Sequence, residues 1–309
     1  MISRRILLAS AASATFARPR ARIDRSRLSV ITDECATSPD DAISFAHQYG
    51  LKWVELRDVP GKKEGQRGYI FQPEENIRAD AAALKRAKLR VSFLNTGLLK
   101  FTLPGTEPAR ARQETPEQRT ARLAREQQQF DRRAEDLAKA IRCAEIFEAR
   151  KIRVFTFTRV ADPAPLLPKI ASIVSELAPE ARRHGMQLLV ENEGSQNVAT
   201  SAELAAFLDR IPDPTVAINW DPMNAVNREK PFPDGYHLLP KPRIANVQAK
   251  ARGLVIGPDM LDWPGIFSAL ENDHYTGEIG LETHVFDGTL IEKAHLSMKE
   301  LVRIAEHHG

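Results

Sequence analysis

From Leu28 onward, short apolar runs alternate with longer amphipathic stretches. The apolar runs are Leu28–Thr32, Lys52–Arg57, Arg90–Asn95, Ile152–Thr158, Met186–Asn192, Thr215–Asp221, Arg243–Lys250 and Glu278–Thr283. Each is brief and rich in Val, Ile, Leu or Phe, the pattern of parallel strands buried on both faces. Helical patterning occupies Pro39–Tyr49, Pro73–Lys88, Pro116–Ala149, Ala164–His184, Ser201–Arg210, Trp263–Asn272 and Thr289–His307. The first of these shows its ends clearly: Ser38 is placed to cap it, Pro39 to open it and Gly50 to close it. Repeated βα order implies a parallel sheet with right-handed crossovers, and eight such units predict one (β/α)8 TIM barrel. The sixth unit is irregular, because Pro222–Pro242 is rich in Pro and Gly; it reads as a long active-site loop, with Gly61–Phe71 and Gly97–Pro108 as further mouth loops.

The length of 309 residues suits one such barrel, and 42% hydrophobic with 28% charged residues is an ordinary globular balance. The net charge is only +3, and much of the basic excess lies in the first 27 residues, at Arg4, Arg5, Arg18, Arg20, Arg22, Arg25 and Arg27. The remainder carries no nucleic-acid footprint. The charged helix after Pro116 mixes acids with bases around an apolar stripe of Leu123, Phe130, Ala134, Leu137, Ile141 and Ala144, so it reads as a solvated outer face. Ser3-Arg4-Arg5-Ile6-Leu7-Leu8 resembles a twin-arginine export signal, followed by small and apolar residues to Ala17. The expected division is therefore 1–27 as signal and linker and 28–309 as barrel. The location is the periplasm or beyond, or the cytoplasm if the signal is not used. No stretch is long enough to span a membrane. Cys35 and Cys143 form no metal-binding spacing. A homo-oligomer stays open.

Candidate chemistry appears where apolar runs end. Leu188-Leu189-Val190 runs into Glu191, Val216-Ala217-Ile218 into Asn219-Trp220-Asp221, Val247 into Gln248, and Ile279-Gly280-Leu281 into Glu282. In a barrel these C-terminal ends meet at one mouth. A single acidic strand end is more often a cap or a solvated turn. Four successive strands with oxygen-bearing ends bring together three carboxylates that repel unless a cation neutralises them. An oxygen-only set favours one divalent metal of the Mn²⁺ or Mg²⁺ kind over Zn²⁺.

These motifs, with Gly50-Leu51-Lys52-Trp53-Val54-Glu55-Leu56-Arg57, Asn219-Trp220-Asp221-Pro222-Met223-Asn224, Val247-Gln248-Ala249-Lys250 and Gly277-Glu278-Ile279-Gly280-Leu281-Glu282, carry a resemblance. From Leu28 to its end the chain resembles the sugar phosphate isomerase/epimerase branch of the xylose isomerase-like superfamily. The resemblance implies a metal held by Glu191, Asp221, Gln248 and Glu282. Departures narrow it. Asn246 and Gln248 stand where the family has histidines, Asn224 replaces another, and Glu191-Asn192-Glu193 replaces Glu-Asn-His. Gln248 is similar to the ligand set of the dehydroshikimate-dehydratase branch, and the missing histidines argue against the endonuclease IV branch.

The implied activity is a metal-dependent sugar or keto-sugar isomerase or epimerase. The metal polarises a carbonyl, and Glu191 and Glu282 move a proton through an enediolate, with Lys250 near the developing charge. A buried lysine paired with Glu55 or Asp221 is an equal reading of Lys250. The alternatives are a lyase or dehydratase on a 3-keto-glycoside or dehydroshikimate, a non-catalytic exported sugar-binding barrel, and a metal-dependent nuclease. Further candidates for substrate contact are Glu55, Asn95, Arg159, Trp220, Asn224, Arg252 and His284, each with a structural alternative such as an ion pair or core packing. Export would favour a free sugar or glycoside over a sugar phosphate.

Overall fold

The computed structural model describes residues 22–61, 68–110, 113–250, 255–257 and 261–308. Eight parallel strands alternate with helices: β1 (Leu28–Val30), β2 (Trp53–Leu56), β3 (Arg90–Leu98), β4 (Lys151–Val154), β5 (Gln187–Glu191), β6 (Val216–Trp220), β7 (Ile244–Lys250) and β8 (Glu278–Glu282). The helices are α1 (Pro39–Gln48), α2 (Glu74–Arg86), α3 (Pro116–Asp131), α4 (Arg133–Ile146), α5 (Leu167–Arg183), α6 (Ser201–Leu208), α7 (Pro222–Ala225), α8 (Tyr236–Leu238), α9 (Trp263–Asn272) and α10 (Leu290–His307). Each strand pairs in parallel with its neighbour from β2 round to β8, then β1, and an Ile31–Glu55 bridge brings the two ends of the sheet together. This is the expected (β/α)8 barrel. Among the described residues no helix is long and apolar enough to cross a membrane.

The folded body reaches back past Leu28. Ile23 is fully buried, and Arg27 donates to the carbonyls of Tyr275 and Gly277. The signal-like segment 1–21 lies outside the described residues. The predicted helix Pro116–Ala149 is two helices that meet at Arg132. α4 buries Leu137, Ala140, Ile141, Cys143 and Ala144, whereas α3 buries an ion pair, Arg122 with Glu126, and leaves Leu123 exposed. The apolar stripe therefore runs from Phe130 into α4 and leaves Leu123 off the core. The irregular sixth unit contains α7, a turn over Pro231–Gly235 and α8 rather than continuous coil. Cys35 and Cys143 are buried and free.

The barrel interior is layered by side-chain alternation. Near the floor, Lys151 pairs with Glu278 at 2.5 Å, and Phe93, Leu189, Ala217 and Ala245 form a small inner apolar cluster. β7 carries one extra residue there, because Ile218 pairs with Ile244 while Asn219 pairs with Asn246. Ala245 joins the inner cluster, yet Asn246 also points inward and donates to Asn219 Oδ1 at 2.9 Å. This bulge resets the alternation, so Asn246, Gln248 and Lys250 all face the axis.

Candidate active site and metal centre

Above the apolar layer sits Glu55, fully buried. Its Oε1 accepts from Ser29 Oγ (2.9 Å) and Asn246 Nδ2 (3.4 Å), and its Oε2 from Asn95 Nδ2 (2.8 Å) and Gln248 Nε2 (3.1 Å). Burial raises its pKa, and the four donors work against that shift. Gly280 leaves room for this carboxylate: a Cβ there would lie 1.9 Å from Glu55 Oε1. Glu55 and Asn95, both candidates for substrate contact, thus meet each other in the middle of the barrel rather than at its mouth.

One level higher, Glu191, Asp221 and Glu282 converge, each buried, with one carboxylate oxygen apiece lying within 4.8 Å of the others. Asp221 is held by a two-way clamp. Its N–H donates to Asn192 Oδ1 (2.9 Å), and Asn192 Nδ2 donates to its carbonyl (2.7 Å). Its Oδ1 caps α7 by accepting from the Asn224 N–H at 2.9 Å. Glu191 Oε2 accepts from Arg153 Nη1 (2.9 Å) and Asn219 Nδ2 (2.8 Å). Gln248 spends its amide nitrogen on Glu55 and on the Gly280 carbonyl, which turns its oxygen toward Asn219 Nδ2 at 3.4 Å, beside Glu191.

Lys250 Nζ lies 3.0 Å from Asp221 Oδ2, 3.0 Å from Glu282 Oε2 and 3.0 Å from Asn224 Oδ1. On the far side of Glu282, the Arg57 guanidinium reaches Asp33 Oδ2 (2.7 Å), Glu34 Oε1 (2.8 Å) and Glu282 Oε1 (3.5 Å). His284 Nδ1 is also 3.5 Å from Glu282 Oε1, and the His284 N–H, on a residue with φ +52°, donates to Glu34 Oε2 at 2.6 Å.

Burial opposes the charged form of Glu282, but Lys250, His284, Arg57 and Arg153 together hold its pKa well below the usual range. Asp221 is pushed up to about 7, because burial outweighs the pull of Lys250. Burial works against a charged Lys250, yet Asp221, Glu282 and Glu191 raise its pKa.

Asp221 Oδ2 and Glu282 Oε2 are buried oxygens with no neutral donor; their close partner is the Lys250 ammonium, 3.0 Å from each. With Glu191 and the Gln248 oxygen alongside, the donor set fits a hard divalent cation such as Mg²⁺ or Mn²⁺.

Asn224, Lys250 and His284 line a cavity of about 500 Å³ above the carboxylates, together with Glu193, Asn227 and Arg228. A larger cavity, about 710 Å³, lies at the opposite end of the strands beside Trp53 and Arg90, away from this chemistry. Two other candidates sit elsewhere. Arg159 makes a two-pronged pair with Glu203 (2.8 and 3.1 Å), the residue that closes the capping box of α6. Trp220 is fully buried against Tyr236 and donates to Ser201 Oγ at 3.3 Å, facing the helix layer. Arg252 lies outside the described residues.

Sequence reasoning missed Arg153, Asn219 and the Asn192 clamp. Their signal was present: Arg153 alternates with Ile152 and Val154, and Asn219 stands two residues before Asp221, so each shares an inward face.

The family model for xylose isomerase-like TIM barrels matches residues 43–304. No curated protein matches the chain by sequence. Among solved structures, a D-allulose 3-epimerase from Methylomonas sp. bound to D-allulose is similar at 16% identity, covering 92% of this chain and 97% of that one, with a TM-score of 0.66. A probable 3-DHS dehydratase from Bacillus anthracis is similar at 16% identity, covering 89% and 98%, with a TM-score of 0.63. A xylose isomerase-like TIM barrel protein from Mycobacterium smegmatis, in complex with magnesium, is similar at 14% identity, covering 87% and 88%, with a TM-score of 0.61. At these identities the likeness speaks for the fold. The match of the family model over nearly the whole barrel goes further: the chain belongs to the xylose isomerase-like TIM barrel family.

Proposed function

We propose that the protein is a divalent-metal-dependent isomerase or epimerase of a sugar or keto-sugar, working by proton transfer next to a carbonyl. The observation that carries this reading is the convergence of three buried carboxylates, Glu191, Asp221 and Glu282, beneath Lys250, which lines a polar cavity. Glu191, Asp221 and Glu282 would hold the ion, with the Gln248 oxygen as a fourth donor. The ion would supply Lewis acidity, drawing electron density from a substrate carbonyl and so acidifying the adjacent C–H.

The chain's own groups supply the rest. Glu282 is kept ionised by its cationic neighbours and so has the form that can accept a proton, and Glu191, in the same cluster, could return one. Lys250 stands at the cavity floor, where its charge would stabilise a developing enediolate. Asn224, Asn227, Glu193 and His284 offer donors and acceptors for substrate hydroxyls. If the twin-arginine-like segment directs export, a free sugar or glycoside is the expected substrate class.

A second reading is favoured by Arg228 and Lys250 on the cavity wall. Cations there suit an acidic keto-substrate, for which loss of water would follow proton removal; this is the dehydratase reading. One experiment separates the two. Purified protein is analysed for bound metal, then incubated in D₂O with ketoses, 3-keto-glycosides and dehydroshikimate, with and without Mn²⁺. Metal-dependent deuterium uptake with recovery of the epimer supports the first reading, and an unsaturated product supports the second. Absence of both metal and exchange refutes enolising chemistry at this site.

A further inference from the structure

We propose that the Lys250 ammonium is the chain's own occupant of the cation site, and that a divalent ion can load only as Lys250 leaves; the inference rests on the metal reading above. Asp221 and Glu282 each offer Lys250 one oxygen. Asp221 Oδ1 is taken by the Asn224 N–H at 2.9 Å, and Glu282 Oε1 faces Arg57 and His284, each at 3.5 Å. The remaining oxygens, Asp221 Oδ2 and Glu282 Oε2, have no neutral donor, and the Lys250 ammonium stands 3.0 Å from both. A divalent ion about 2.1 Å from both oxygens would lie within about 4 Å of Nζ, on whichever side of the oxygen pair it sat. Two cations that close, in a site walled from water, repel strongly. The same two oxygens therefore serve the ammonium or the ion, not both.

Each of the three buried carboxylates has a cationic partner from the chain itself. Lys250 lies against Asp221 and Glu282, Arg153 against Glu191, and Arg57 against the outer oxygen of Glu282. The route out is also present. β7 is pinned to β8 by the Lys250–Glu282 register, so only the flexible side chain moves. Nζ already touches Asn224 Oδ1 at 3.0 Å, and Asn224 shares the cavity with the carboxylate of Glu193. Rotation about that contact carries Nζ from the ligand oxygens out over the substrate cavity, toward Glu193, which already pairs with Lys100 at 2.7 Å. Lys250 thus has two positions, one against the carboxylate cluster and one that faces substrate.

The test compares Mn²⁺ binding by calorimetry in chelator-treated wild type and Lys250→Met. The variant is expected to bind at least tenfold tighter, having no ammonium to expel. A second measurement uses the wild type alone: acetic anhydride labelling of Lys250, read by mass spectrometry, is expected to rise several-fold when Mn²⁺ is added. Equal or weaker Mn²⁺ binding by Lys250→Met, or labelling that Mn²⁺ leaves unchanged, overturns the inference while wild-type binding keeps the metal reading alive. Failure of both proteins to bind Mn²⁺ overturns the two together.

Discussion

Two adjacent levels of the barrel interior hold carboxylates, and they are satisfied in opposite ways. Glu55 accepts four hydrogen bonds from Ser29, Asn95, Asn246 and Gln248, all neutral donors. One level up, Asp221 and Glu282 each have an oxygen with no neutral donor, and balance comes from the charges of Lys250, Arg57 and Arg153. A carboxylate surrounded by fixed neutral donors has no acceptor capacity to offer a ligand. One whose partner is a single charged side chain can exchange it for another cation. Burial alone does not distinguish the levels, since both are sealed from solvent; the use of lone pairs does.

The largest effect should follow from removing one of the upper carboxylates. On the proposed function Glu282→Gln would remove the proton acceptor and one ligand charge, so deuterium exchange is expected to fall by about 10²–10⁴-fold, with bound Mn²⁺ lost as well. Elemental analysis and D₂O exchange on the same preparation check this. Full exchange in Glu282→Gln would break the distinction between the two levels.

The lower level should respond in stability instead. Glu55→Ala strands four buried donors, and at about 1–3 kcal/mol for a buried group left unsatisfied the total cost should be about 3 kcal/mol or more. Denaturant unfolding measures it, and Mn²⁺ stoichiometry should stay that of the wild type. Loss of metal without loss of stability would move Glu55 into the site. Gly280→Ala probes the same level more gently. Its Cβ would lie 1.9 Å from Glu55 Oε1 and 2.4 Å from Glu55 Cδ, so the carboxylate must shift. The expected cost is about 1–3 kcal/mol, as for other overpacked interiors, again with metal retained.

How far the sequence reaches follows from the same contrast. The barrel was legible because eight buried strands leave eight apolar runs, and the upper carboxylates because those runs end in Glu191, Asp221 and Glu282. Which cation answers which acid was not legible. Arg57 meets Glu282 across 225 residues, and only closure of the barrel brings them together. The placement of Gln248 and Lys250 depends on the bulge at Ala245, for which the run Ile244–Lys250 carries no glycine or proline signal. The break between α3 and α4 at Arg132 is similar, with neither a helix breaker nor a capping side chain to announce it.

Trp220 sharpens the point about alternation and gives the smallest expected effect. Its neighbours Asn219 and Asp221 both face the axis, so period two sends Trp220 outward, although its position beside Asp221 made it a candidate for substrate contact. In the fold its ring packs on Tyr236 at 5.2 Å between centroids, and its N–H reaches Ser201 Oγ at the start of α6. Trp220→Phe keeps an aromatic ring in that layer and removes one hydrogen bond, at a cost of about 1 kcal/mol. The variant should melt slightly earlier, with wild-type Mn²⁺ affinity and an unchanged KM for whichever sugar supports exchange. A raised KM at undiminished stability would put the indole in contact with substrate, and the outward assignment of every even-numbered residue on β6 would then need revising.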